Sequence, residues 1–158
     1  MQTAEEIIRE LVPQIAVMQL ATSANGQSWA CNLHYYSDDT MNLYWLSTET
    51  REHSQHIAQN PNAAAAIMVH LNTPEENYII GVSFAGTAEC LGAKVDDSVS
   101  KGYQAKHDTS EKFLAKVADG GDPHKWYRLK PSKIVLFDTK HFSDNPRQEV
   151  DLQTKTIS

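Results

Sequence analysis

Apolar and polar positions alternate with a period of two over residues 28–37, SWACNLHYYS. Trp29, Cys31, Leu33 and Tyr35 fall on one side, and Ala30, Asn32, His34 and Tyr36 on the other. That is the period of a strand with one buried face. Residues 15–23 before it form an apolar run. Asn25-Gly26 between the two is the strongest short hairpin signal. Ser37-Asp38-Asp39-Thr40 predicts a second turn, and residues 41–46 the third strand of a meander.

Other stretches carry a helical period. Residues 3–12 predict a short helix capped by Thr3, with Glu5 and Glu6 at its positive end and Ile7, Ile8 and Leu11 on its apolar face. Pro13 ends it. Residues 53–59 predict a helix stopped by Asn60-Pro61. Four alanines after Pro61 favour helix on propensity, but 67–69, Ile-Met-Val, read as strand. Residues 71–77 are a polar loop. Residues 78–91 form a long strand in which Gly81 and Gly86 suggest bulges or bends. Residues 93–106 predict a helix with Val95, Val99 and Tyr103 on one stripe. Thr109 or Ser110 caps a second, over 111–118, bearing Phe113, Leu114 and Val117, and residues 119–123 break it. Residues 126–129 suit either helix or strand, and 133–138 a final strand.

The whole is mainly β with peripheral helices, a small antiparallel barrel of five or six strands. The expected organisation is one domain over 1–140 and a C-terminal tail, 141–158, partly ordered near Phe142.

Composition narrows the class. The 158 residues are 41% hydrophobic and 22% charged, the balance of a globular domain with a real core. A net charge of −6 and a pI near 5.6 argue against nucleic-acid or membrane-surface binding, which needs a basic field. Cys31 and Cys90 stand alone among apolar residues, which predicts two buried free thiols and a cytoplasmic protein. The N-terminal MQTAEEIIRELV has neither the basic nor the apolar region of a signal peptide, and no apolar run reaches membrane-spanning length.

The chemistry-bearing stretch is 41–61, MNLYWLSTETREHSQHIAQNP. A strand, a hydroxylated turn (Ser47, Thr48, Thr50), Arg51 and His53, and a helix start are the parts of an anion site. Backbone N–H groups at a helix N-terminus are unpaired, hydroxyls add donors, and Arg meets phosphate bidentately. The ordinary alternative is a capped helix after a strand, which uses the same residue types.

The order LATSANGQSWACNLHYY, LYWLSTETREHSQHIAQNP, an apolar strand, VSFAGTAE and KPSKIVLFD resembles the pyridoxamine 5′-phosphate oxidase-like family of FMN-binding split barrels. It is most similar to the small bacterial branch rather than to the vitamin B6 oxidase itself. The resemblance covers about residues 10–138. It implies a six-stranded antiparallel split β-barrel and a homodimer with FMN in a cleft between subunits. It also implies that Ser47, Thr48, Arg51, His53 and Ser54 meet the phosphate. Asn32 and His34 on the second strand and Ser83 on the long strand would meet the ring. In the oxidase a Lys stands at the position of His53, and an Arg and a Lys at those of Cys31 and Tyr36; all three are replaced here.

On this resemblance the protein is an FMN-dependent oxidoreductase of unknown substrate, with no side chain assigned to acid–base catalysis. The rivals are a non-catalytic flavin-binding protein, a haem-binding or haem-degrading barrel with His34 as axial ligand, and a domain that has lost its cofactor. The deazaflavin F420 is a further cofactor candidate, disfavoured by the few basic residues for its longer anionic tail. His53 and His56, at i and i+3, could chelate a metal, but no third ligand has supporting spacing, so a metal site is not expected.

Overall fold

A computed structural model describes residues 1–70 and 74–152. Its helices are α1 (Ala4–Leu11), α2 (Glu52–Gln59), α3 (Asp97–His107) and α4 (Glu111–Asp119). Its strands are β1 (Val17–Ala24), β2 (Gln27–His34), β3 (Tyr36–Ser37), β4 (Leu43–Thr48), β5 (Asn62–His70), β6 (Ile80–Gly92), β7 (His124–Asp138) and β8 (Arg147–Val150). They form one antiparallel sheet in the order β2-β1-β5-β6-β7-β4-β3, with β8 on the far half of β7. The two ends of that order, β2 and β3, are consecutive in sequence. The chain therefore crosses from one sheet edge to the other at Tyr35, whose ring is fully buried and whose hydroxyl donates to the Val12 carbonyl. This crossing curls the sheet into a split barrel.

The expected barrel is present, with eight strands among the described residues in place of six. The additional ones are the two-residue β3 and the C-terminal β8. The expected meander is corrected. β4 pairs with β3 and β7 and not with β2, because the second strand ends at Tyr35 and only Tyr36–Ser37 turns back on Leu43–Tyr44. The alanine stretch is also corrected: β5 runs as strand from Asn62. It lies between β1 and β6 and is hydrogen-bonded to both. Two ladders and the burial of Ala63 and Ala65 outweigh a helix preference worth tenths of a kcal/mol per residue.

Residues 126–129 and 133–138 belong to one long strand, β7. The register shift between Ala85 and Gly86 falls opposite Pro131, where a residue without an N–H is tolerated. A Cβ on Gly86 would lie 2.0 Å from the Lys130 carbonyl oxygen, so the crossing requires glycine. Gly81 pairs with Met68 and Phe137, and the β5–β6 register shift between Met68 and His70 falls directly beside it. Part of the expected 71–77 loop, residues 71–73, lies outside the described residues.

The barrel interior holds Met18, Leu20, Leu43, Trp45, Ile67, Phe84, Leu129 and Leu136, closed at one end by Ile7 and Ile8 of α1. Thr3 and Glu6 complete a reciprocal capping box on that helix. The C-terminal segment contributes as well, since Leu152 is buried in this core. A second, smaller core lies outside the barrel, where Val99 and Tyr103 of α3 and Leu114 and Val117 of α4 pack on Tyr44 and Trp126. Among the described residues no helix is long and apolar enough to cross a membrane.

Candidate functional site

β4 alternates, so Trp45 and Ser47 face the interior while Leu46 and Thr48 face outward. Ser47 therefore meets α2 from below. Its hydroxyl is hydrogen-bonded to His53 Nε2 at 2.8 Å and accepts from the Ser54 hydroxyl at 3.4 Å. The other ring nitrogen of His53, Nδ1, lies 3.5 Å from Cys31 Sγ on β2. The hydroxyl of Tyr127 on β7 contacts both Ser54 and Cys90, and burial pushes it up to about 12. His53 is 6% exposed. Burial, and then the neighbouring Arg51 and His56, lower its pKa; burial raises that of the Cys31 thiol. Imidazole and thiol are thus both uncharged at neutral pH.

Cys31 is half-buried, as its strand phase requires, but Cys90 is exposed, contrary to the expectation of two buried thiols. Cys90 lies beyond Ala88, the last fully buried residue of β6, at the register shift where that strand leaves its partner. His56 is also turned inward, with Nδ1 3.0 Å from the Thr22 hydroxyl. The two helix histidines therefore serve separate partners.

The exposed start of α2 is different. Arg51 is the N-cap residue and makes no side-chain cap. Its guanidinium has no hydrogen bond or ion pair to another described residue, and Thr48 and Thr50 bond to each other at 3.1 Å. Arg51 and Thr50 wall an open groove of about 530 Å³ between α2 and the β1–β2 hairpin. The donors here are a free guanidinium, two hydroxyls and the unpaired N–H groups of the first helical turn, a set that fits a phosphate monoester.

Asn32 and His34 share the outer face of β2, as their phase predicted, and line an open groove of about 410 Å³ with Val17, Leu33, Leu46 and Tyr103. Gln19 donates to Asn32. His34 stacks on His107 of α3, with ring centres 4.6 Å apart and planes 12° off parallel. His107 is held by Nε2–H donating to the Tyr35 carbonyl at 2.7 Å and lies against Tyr103. Burial keeps its pKa low. Beside it, Lys106 Nζ sits 3.6 Å above the Tyr35 ring, and burial brings its pKa down to about 8. α3 can approach this closely because Gly102 faces the Tyr36 ring, where a Cβ would clash at 2.3 Å. Planar apolar walls with a few polar edges suit a flat heteroaromatic ligand. Leu46 in this groove and Thr48 at the hydroxylated turn are two residues apart on one face of β4, about 7 Å.

Ser83 is not brought to either groove. Asn32, Gln19, Ala66 and Ser83 are successive cross-strand partners on the outer face, which puts Ser83 three strands from Asn32, about 14 Å. The site residues that sequence reading missed are Cys31 as a partner of His53, and His107, Tyr103 and Leu46 as groove walls. Tyr103 lay on the predicted apolar stripe, but nothing in the spacing says that α3 covers β2.

The sequence profile of the pyridoxamine 5′-phosphate oxidase family matches residues 4–138. The chain belongs to this family. A search of curated proteins finds no match. Solved structures with the same fold include a haem-binding protein from Mycobacterium smegmatis (19% identity, 97% of this chain and 60% of that one, TM-score 0.70). Others are a FAD-binding protein from Mesorhizobium loti (21%, 84% and 90%, TM-score 0.58) and a putative pyridoxamine 5′-phosphate oxidase from Listeria innocua (14%, 85% and 98%, TM-score 0.59). The same fold thus occurs in a haem-binding protein and in a FAD-binding protein.

Proposed function

We propose that the protein binds FMN between two copies of itself and acts as an FMN-dependent oxidoreductase on a small molecule. The observation that carries this reading is the uncapped start of α2, where the Arg51 guanidinium and the first-turn N–H groups are unengaged at an open groove and the Thr48 and Thr50 hydroxyls bond to each other. Arg51 and the hydroxyls would hold the phosphate. Asn32 would offer polar contacts to a ring edge, with His34 and Tyr103 as apolar walls. Bound flavin would supply hydride transfer; the protein's part is to fix the ring and exclude water. Ser47, His53 and Ser54, satisfied among themselves, would shape the loop from beneath.

The homodimer is supported by the outer face of the sheet. Ala21, Ala30, Ala66 and Ala85 are exposed there in adjacent strands, and Met68, in phase with Ala66 on β5, is an exposed large apolar residue. A smooth apolar face of this kind suits a second copy. Ser83, remote from the groove of its own chain, would reach the flavin of the other.

One feature favours haem as a second reading: the His34 ring makes no hydrogen bond to another described residue and sits at the groove mouth, free to ligate iron. The test is the visible spectrum of the purified protein, with FMN or haem added if it is colourless, followed by NAD(P)H. Flavin bands bleached by NAD(P)H, and an FMN affinity at least about tenfold weaker in Arg51→Ala, are expected. A Soret band lost in His34→Ala would replace FMN with haem. Flavin that NAD(P)H never reduces would leave a binding protein rather than an enzyme. Unchanged FMN affinity in Arg51→Ala would remove the phosphate assignment.

A further inference from the structure

Cys31, His53 and Ser47 form a constellation that flavin binding does not use. Ser54 donates to Ser47, and Ser47 Oγ lies 2.8 Å from His53 Nε2, while Nδ1 of the same ring lies 3.5 Å from Cys31 Sγ. In the tautomer with the proton on Nε2, Ser47 accepts that proton's hydrogen bond and the Nδ1 lone pair faces the thiol. An oriented imidazole base against a thiol, its far nitrogen held by a third group, is the arrangement of an activated nucleophile. The thiol is half-exposed on β2, the edge strand of the sheet formed by the described residues. Its neighbours on the same face, Trp29 and Leu33, are apolar, and Trp29 is 43% exposed. Among the described residues no carboxylate bonds to the ring. The titratable groups about it are Arg51 and His56 on its own helix, Cys31 on β2 and, through Ser54, Tyr127 on β7.

We propose that Cys31 is a thiol nucleophile with His53 as its general base, and that it forms mixed disulfides with uncharged low-molecular-weight disulfides. Sγ attacks one sulfur of RS–SR as its proton passes to His53 Nδ1. The S–S bond breaks, and the departing RS⁻ takes that proton from the imidazolium. The products are Cys31–S–SR and RSH, with no net oxidant consumed. This chemistry is independent of any bound flavin.

The test uses the full chain with Cys90→Ser, which removes the exposed second thiol. The probe is 2-hydroxyethyl disulfide, which is neutral and does not titrate; adduct formation is followed by intact mass against pH. A lone thiol slows roughly tenfold for each pH unit below its pKa. The pair should instead hold a plateau down to the pKa of His53, and His53→Gln should abolish the plateau and slow the reaction at neutral pH at least about tenfold. A lone-thiol profile, an unchanged rate in His53→Gln, or a thiol that reacts only after unfolding would each overturn the proposal. If His53→Gln fails to fold, the pH profile of the Cys90→Ser protein decides alone.

Discussion

Two helices lie over the barrel, and the polar groups beneath them are treated in opposite ways. Under α2 the polar atoms are matched pair by pair: His53 to Ser47 and Cys31, Ser54 to Ser47, His56 to Thr22. Under α3 the contact is made by rings, His34 on His107 and Tyr103 at its side. An open groove remains between them and β4. A buried polar group left unpaired costs about 1–3 kcal/mol, so the first region is tied to the fold. Stacked rings at an exposed edge carry little of that penalty, so the second is free to meet a ligand. Histidine serves both, enclosed among protein partners in one and open to a ligand in the other, and the difference lies in burial rather than in residue type.

The largest effect that would break this contrast is in the first region. His53→Ala removes two contacts and leaves Ser47 short of a partner in a buried space. A loss of about 3 kcal/mol in urea unfolding is expected, and a loss below about 1 kcal/mol would mean that the cluster is not part of the fold.

Next comes pH. The pKa values of His53 and His107 are both lowered on folding from 6.5. As pH falls below 6.5 the unfolded chain takes up their protons before the folded one does. The stability they contribute is therefore fully present above that value and is lost as pH drops toward their folded pKa values. Melting temperature should fall on mild acidification, and the slope should flatten when both residues are replaced by Gln. An unaltered slope would show that other groups control the acid response.

The smallest effect on stability sharpens the contrast from the other side. His34→Ala loses one exposed stacking contact, within about 0.5–1 kcal/mol, yet should weaken retention of whichever cofactor occupies the groove. A large drop in stability with unchanged retention would reverse the roles of the two regions.

Much of this could be read along the chain. The Asn25-Gly26 hairpin, the Thr3 cap, the stop at Asn60-Pro61 and the phase of β2 are consequences of local sterics and alternation, and each is where the residues place it. The phase alone put Asn32 and His34 on one face. The alanines of β5 were less legible, because single-residue propensity is weaker than the two ladders that flank that strand. Ser83 was placed by a resemblance that concerns a pair of chains, and within one chain it lies far from the groove.

The sequence by itself determined the four helices, the Thr3 and Ser110 caps and the hairpin at Asn25-Gly26. Only the tertiary structure decided that Cys31 and His53 meet, that the two ring nitrogens of His53 are engaged while the guanidinium of Arg51 is free, and that α3 closes over β2 to make a groove. Local periods fix which way a side chain points from its own strand or helix. Contacts between residues 22 or 73 positions apart depend on how the sheet curls at Tyr35 and crosses at Gly86, which is a property of the whole barrel.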